Sequence, residues 1–94
     1  MSYYSISHWD TTEWNDEMEE LAREKYVPMV KALGAESVDM VRTGELSFIV
    51  VTKYSDASVA EAAQARIDAI RDQAADELPM KMSGVERGST FASG

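Results

Sequence analysis

The stretch from Val38 to Tyr54 constrains the fold of this chain more than any other. Two runs rich in β-branched and aromatic residues flank the turn-forming pair Thr43-Gly44. The pattern predicts a hairpin whose strands are Ala35–Thr43 and Glu45–Tyr54. Apolar residues of the second strand point in both directions: Leu46, Phe48 and Val50 alternate with Ile49 and Val51. Such a strand is typical of the centre of a sheet that is covered on both sides.

A strand and a long helix are predicted before the hairpin. The strand covers residues 3–9 and places Tyr4, Ile6 and His8 on one face and Tyr3, Ser5, Ser7 and Trp9 on the other. Asp10, in capping-box spacing with Glu13, begins the helix, or else Thr11 or Thr12 does, and Gly34 ends it. Pro28 either kinks this helix near residues 24–27 or begins a short second helix.

A second helix and a last strand are predicted after the hairpin. Residues 55–58 supply helix caps, and Leu78-Pro79 ends the helix. Its small apolar residues form one narrow stripe, made of Ala60, Ala63, Ile67, Ile70 and Ala74. Met80–Gly88 is the last strand, and residues 89–94 form a tail whose Phe91 is expected to pack against the protein.

The order β-α-β-β-α-β predicts one α+β domain over residues 1–94. Its four strands form an antiparallel sheet with the two helices on one face. Tyr3, Trp9, Ile49 and Val51 are expected on the other face. Because a chain of 94 residues has too little helix to cover both faces, a second copy of the chain should cover this one.

Composition excludes several classes of function. The chain has no cysteine and a single histidine, His8, so thiolate metal sites, cysteine nucleophiles and multi-histidine metal sites within one chain are excluded. A net charge of −8 with scattered basic residues argues against nucleic acid and anionic membranes as partners. The N-terminus lacks the basic and apolar regions of a signal peptide and no apolar run spans a bilayer, so we expect a cytoplasmic protein.

Residues 42–56 carry a family resemblance. Arg42-Thr43-Gly44 is followed by a strand that ends at Tyr54, then Asp56 and an alanine-rich helix. In this the chain resembles the dimeric α+β barrel superfamily, and within it the branch similar to antibiotic-biosynthesis monooxygenases. The resemblance implies ferredoxin-like protomers that pair as homodimers through their sheets. It also implies a small-molecule pocket between each sheet and its helices.

The resemblance also implies positions for the site residues. By position, the polar residue that ends the first strand is His8, the aromatic that ends the third is Tyr54, and the second-helix histidine is replaced by Gln64. Glutamine is neither a haem ligand nor an acid or base, so no haem and no other cofactor is expected. What remains is a cofactor-independent pocket for a small aromatic or acyl molecule.

Each candidate residue also has a structural explanation. His8 is the natural base and Tyr54 the orienting donor, with Tyr4 on the same predicted face, yet strand-end histidines and strand tyrosines often have structural roles alone. Tyr26 and Trp14 are core residues that would line a pocket if one exists. Gln64 either bonds inward or is exposed. The acidic residues of the first helix form a solvated stripe, and no metal site is expected.

Two functions therefore compete on the sequence. The first is a cofactor-independent, monooxygenase- or isomerase-like enzyme that uses His8 and Tyr54. The second is a ligand-binding or structural homodimer of the same fold. A closed apolar pocket that ends at His8 would favour the enzyme, and solid packing by Met18, Phe48 and Ile67 would favour the structural protein.

Overall fold

The computed structural model describes residues 2–94 and contains a four-stranded sheet and two helical regions. The elements in chain order are β1 (Tyr3–Thr11), α1 (Asp16–Leu21), a π-helical turn (Ala22–Tyr26), α2 (Val27–Lys31), β2 (Ser37–Gly44), β3 (Ser47–Tyr54), α3 (Ala57–Glu77) and β4 (Met80–Ser89). Within residues 2–94, no helix combines the length and apolarity needed to cross a membrane. The predicted α+β class with an antiparallel sheet is confirmed.

The strands lie in the order β2-β3-β1-β4, and each neighbouring pair is antiparallel. It follows that β1 runs parallel to β2 with β3 between them, and that β3 runs parallel to β4 with β1 between them. The two β-helix-β units are thus interleaved, and β1 and β3 form the centre of the sheet. The predicted central position of the second hairpin strand is confirmed.

Side chains alternate between two faces of the sheet, and helices pack on one of them. On this helix-covered face, Tyr3, Tyr54 and Val38 pack with α2 and α3 through Val30 and Ile67. The open face is defined by Tyr4, Ile6 and His8 of β1 and by Ile49 and Val51 of β3.

The prediction that Tyr3 and Trp9 lie on the open face is wrong. Tyr3 pairs with Tyr54 and Trp9 with Phe48, and all four belong to the helix-covered face. Ile49 and Val51 lie on the open face, as predicted. Both faces of β1 carry aromatic residues, so the sequence pattern did not show which face packs against the helices.

The first helix begins later than the sequence predicts. β1 continues to Thr11, whose hydroxyl oxygen lies 2.9 Å from the Pro79 carbonyl oxygen and 2.8 Å from the Glu13 carbonyl oxygen and shares its one hydrogen between them, and this holds the chain extended beyond Asp10. The cap is Asn15, whose side-chain oxygen accepts from the Met18 amide at 2.9 Å. Asparagine and aspartate are equally good helix caps, so residue type alone did not distinguish Asn15 from Asp10. The capping-box spacing to Glu13 favoured Asp10, which is the wrong residue.

The helix widens before Pro28 and continues through it. The π-helical turn Ala22–Tyr26 passes directly into α2, where Pro28 occupies the first turn. A proline has no amide hydrogen, so its place at the start of a turn costs little, and the wide turn absorbs the disruption. The predicted irregularity before Pro28 is present as this π-helical turn, and the short segment α2 begins at Val27, one residue before Pro28, without a break in the chain of helical turns.

The first helical region, which consists of α1, the π-helical turn and α2, ends where the sequence predicts, but the hairpin turn does not lie at the predicted residues. Gly34 has φ of 106°, the left-handed backbone that closes a helix, so its predicted role is confirmed. The hairpin turn lies at Glu45–Leu46, two residues after the predicted Thr43-Gly44.

The second long helix is largely as predicted. Asp56 caps α3 by accepting from the Val59 amide at 3.1 Å, and the helix ends before Leu78-Pro79. Ala60, Ala63, Ile67 and Ala74 of the predicted stripe are buried. Phe91 is 95% exposed in the described chain, so the prediction that it packs against the protein is wrong.

Candidate functional site

A cavity of about 370 Å³ lies between the helix-covered face of the sheet and the helices. Side chains from all four strands and from both helical regions line it. At the volume that water occupies in the liquid, this space equals about a dozen water molecules. It lies near the lower end of the size range of small-molecule pockets.

Aromatic side chains form one wall of the cavity. The Trp9 and Phe48 rings stack with centroids 6.0 Å apart and an interplanar angle of 6°. Trp14 meets Phe48 edge to face at 5.9 Å. Met18 and Ile67 also line the cavity, so the side chains whose solid packing would have favoured a purely structural protein form the walls of a cavity. Both tryptophans of the chain are therefore reporters of this site.

A few polar groups interrupt the apolar lining. Ser7 is buried, and its hydroxyl oxygen accepts from Trp9 Nε1 at 2.9 Å, which leaves the hydroxyl hydrogen available. Thr52 is also buried and lines the cavity. Isolated hydrogen-bonding groups in an apolar cavity are what orients a small ligand.

Arg71 is the most buried of the charged residues in the cavity lining. Its side chain is only 14% exposed, and Nη2 donates to Ser5 Oγ at 3.3 Å. Nη1 lies 3.7 Å from Oδ1 of Asp68, whose own side chain is 60% exposed. Burial and the nearby Arg87 lower the pKa of Arg71, and Asp68 offsets this only partly. The guanidinium is therefore a buried positive charge with one long ion pair.

Exposed side chains form the mouth of the cavity: Glu19, Arg23 and Arg42. The Arg42 guanidinium lies over the Trp14 ring at 4.2 Å from its centroid, and Nη2 donates to the Glu45 carbonyl oxygen at 2.7 Å. Trp14 Nε1 donates to Glu19 Oε2 at 2.7 Å. These contacts hold the Trp14 ring at the entrance.

The π-helical turn supplies a further part of the wall. Ala22, Arg23, Tyr26 and the adjoining Val27 line the cavity. The Tyr26 hydroxyl donates to Glu77, and burial followed by this contact raises the pKa of Tyr26. Tyr26 is therefore a neutral phenol that joins the first helical region to the end of α3.

Two of the six predicted site residues, Trp14 and Tyr26, line the cavity. His8 and Tyr4 lie on the open face of the sheet, away from the helices. His8 Nε2 is 3.2 Å from Glu86 Oε2, and its side chain is 43% exposed. The cavity therefore does not end at His8.

Tyr54 and Gln64 lie outside the cavity lining. Tyr54 is buried in the core on the face opposite to His8, so the prediction that these two share a face is wrong. Burial raises the pKa of Tyr54, while Arg71 and Arg87 act against that rise. Gln64 Nε2 donates to Asp68 at 2.8 Å along the exposed side of α3.

The sequence reading missed Arg71, Ser7 and Thr52. A signal for Arg71 was present, because it follows Ile67 by four residues and precedes Ala74 by three, which places it within the buried stripe. A charged residue at an apolar helical position requires a partner or a function. Ser7 and Thr52 became informative only once the buried face of the sheet was known.

Within residues 2–94, no group of three or more histidine, cysteine, aspartate or glutamate side chains is arranged to hold a metal ion. The chain matches no protein-family model and no curated protein. The cavity and its lining are accordingly the observations from which a function can be argued.

Proposed function

We propose that this protein binds a small, largely apolar molecule in the cavity between its sheet and its helices. One observation carries the proposal, namely a space of about 370 Å³ walled by aromatic and aliphatic side chains. A concave, largely apolar space of this size with a few polar groups in its wall is the usual form of a small-molecule site. An aromatic or acyl compound of about a dozen heavy atoms suits it.

Tryptophan fluorescence tests the proposal, because Trp9 and Trp14 both line the cavity. A brominated aromatic alcohol, para-bromophenylethanol, quenches an indole that it touches. We expect saturable quenching of the wild-type protein. Because a ligand that binds only the native state stabilises it, the melting temperature should rise in parallel.

A variant that fills the cavity is the matched test. Ala22 lines the cavity, whereas Ala65 is exposed on α3 and lies outside the lining. Ala22→Phe should abolish the saturable component, and Ala65→Phe should retain it. Quenching that rises linearly with alcohol concentration, and equally in both variants, would refute a specific site.

We further propose that the fold is ferredoxin-like and that two copies pair through the open face, as in a dimeric α+β barrel. The interleaved strand order supports the first part. Ile6, Ile49 and Val51, which make the open face apolar, support the second. We also propose, on the resemblance carried by residues 42–56, that the chain belongs to the monooxygenase-like branch of that superfamily.

Cofactor-independent catalysis of the monooxygenase or isomerase type is the second candidate function. Such chemistry begins with removal of a proton beside a carbonyl group, and the enolate needs positive charge or hydrogen-bond donors. Arg71, Ser7 and Thr52 are such groups in the cavity wall. Glu19 is a carboxylate of the lining that could accept the proton.

Exchange of α-hydrogens for deuterium in a small aryl ketone, followed by proton NMR, tests this second candidate. Enolisation in the cavity predicts faster exchange that Glu19→Gln removes. If His8 is instead the base and Tyr54 the orienting donor, as the family resemblance implies, His8→Ala and Tyr54→Phe should remove the faster exchange. A rate equal to that of buffer alone would leave ligand binding as the function.

A further inference from the structure

We infer that the ligand of this cavity carries a carboxylate at one end and that Arg71 binds this carboxylate. The inference rests on the proposed function, because it assumes that the cavity binds a small molecule. It adds the chemical class of that molecule and its orientation.

The hydrogen-bonding state of Arg71 is the first argument. A guanidinium has five N–H donors, and the described contacts of Arg71 are one bond to Ser5 at 3.3 Å and one ion pair with Asp68 at 3.7 Å. A side chain that is only 14% exposed has little access to water for the remaining donors. Buried charges in proteins are normally paired, and a bidentate carboxylate is the usual partner of arginine.

Asp68 is a poor candidate for that partner. Its side chain is 60% exposed and accepts a hydrogen bond from Gln64 at 2.8 Å, so it remains largely on the outer side of α3. Arg87 lies opposite Ser5 in the β1–β4 pairing and adds a second positive charge to the same region. The Arg71 end of the cavity therefore attracts anions.

The charge of the lining is opposite to the charge of the protein. Among residues 2–94, the charged side chains that line the cavity are Arg23, Arg42, Arg71 and Glu19. The chain as a whole carries −8. Non-specific attraction to such a protein would favour cations, so a preference for an anion has to come from the cavity itself.

Register along β1 gives the orientation of the ligand. Arg71 contacts Ser5, and the aromatic wall begins at Trp9, four residues further along the same strand. At the rise of an antiparallel strand these positions are about 14 Å apart. The carboxylate therefore lies at the Arg71 end, and the apolar part of the ligand extends towards Trp9 and Phe48.

Three probes of one shape test the inference: para-bromophenylacetate, para-bromophenylethanol and para-bromophenethylammonium. They share a para-bromophenyl ring on a two-carbon chain and end in an anionic carboxylate, a neutral alcohol and a cationic ammonium group, and tryptophan quenching reports binding of each. At neutral pH we expect the wild-type protein to bind the carboxylate about tenfold or more tightly than the alcohol. The ammonium probe should bind most weakly.

Arg71→Gln keeps most of the side-chain stem and removes the charge. It should abolish the preference for the carboxylate while the affinity for the alcohol changes less than about twofold. Arg66→Gln is the control of equal charge change, since Arg66 is exposed on α3 and lies outside this cavity. This control should keep the wild-type preference.

The outcomes separate the inference from the proposed function. Equal binding of alcohol and carboxylate overturns the inference and leaves the proposed function standing. Failure of every probe to bind overturns both. An equal loss of preference in Arg66→Gln and Arg71→Gln assigns the effect to overall charge and also overturns the inference.

A second measurement applies if Arg71→Gln does not fold. The Arg71 Nε–Hε signal of the wild-type protein, assigned by NMR through Arg71→Lys, should shift with the carboxylate probe and not with the alcohol. An unchanged signal at saturating carboxylate would refute direct contact with Arg71.

Discussion

Gly34 combines a left-handed backbone with a close neighbour, and both features oppose a side chain. Its φ is 106°, and an added Cβ would lie 3.2 Å from Val59 Cγ1 of α3. We expect Gly34→Ala to lower the free energy of unfolding by about 1–3 kcal/mol because alanine rarely adopts this backbone conformation. Urea denaturation measures the change.

Gly88 provides the control for Gly34. A Cβ added there would have no atom within 4 Å. Gly88→Ala should change stability by less than about 0.5 kcal/mol. Equal effects of the two substitutions would show that the Gly34 backbone is not a constraint.

Glu77 gives a pH-dependent prediction. Hydrogen bonds from Lys25 and Tyr26 hold the pKa of Glu77 below its ordinary value of 4.5. The folded protein therefore binds this proton less tightly than the unfolded chain. The contact stabilises the protein above the ordinary pKa, and the stabilisation is lost as pH falls through the lowered pKa.

Glu77→Gln should consequently flatten the acid side of the stability profile. Urea midpoints measured between about pH 6 and pH 3 should fall more steeply for the wild-type protein than for the variant. Asp76→Gln, which changes an exposed neighbour in α3, is the control and should follow the wild type. Identical slopes for Glu77→Gln and wild type would contradict the assigned contact.

At the scale of elements, α1 depends on its cap. Asn15 satisfies the Met18 amide, and Met18 lines the cavity. Asn15→Ala should destabilise the protein by about 1 kcal/mol, and Asn15→Ser, which keeps a capping oxygen, should recover most of this loss. Thermal denaturation of the wild type and both variants tests the cap. A melting temperature of Asn15→Ala equal to that of the wild type would contradict it.

The sequence predicts the elements better than their ends. The hairpin, α3 and β4 follow from alternation, caps and the Leu78-Pro79 pair, which are local signals. The start of α1 does not, because Thr11 is held extended by the distant Pro79 carbonyl oxygen. The π-helical turn likewise leaves no pattern of its own beyond the presence of Pro28.

At the scale of the whole molecule, the open face predicts a dimer. Val51 lies opposite Ile6 at the centre of this face. Val51→Glu should convert a homodimer into a folded monomer, because a buried carboxylate at the interface would lack a partner. Sedimentation equilibrium measures the mass, and circular dichroism confirms folding.

Ala65→Glu is the matched control for the dimer, since Ala65 is exposed on α3. It should leave the mass unchanged. A wild-type protein that sediments as a monomer at every concentration tested would refute pairing through the open face.

The sequence predicted two residues of the cavity lining correctly and misplaced others, and both outcomes have a physical reason. Trp14 and Tyr26 could be placed because a pocket between sheet and helices has to include large side chains of the first helical region. His8 and Tyr54 were misjudged because alternation separates two faces without saying which one the helices cover. The spacing of Arg71 from Ile67 and Ala74 already placed it in the buried stripe of α3, but only the packed molecule shows how little exposed its side chain is and how few partners it has.

A crystal structure of the protein with para-bromophenylacetate is the decisive experiment for ligand binding in the cavity, because the anomalous signal of bromine locates the probe. We expect bromine beside the Trp9 and Phe48 rings and the carboxylate of the probe on Arg71. A cavity closed by those rings, or bromine found only elsewhere on the protein, would contradict it.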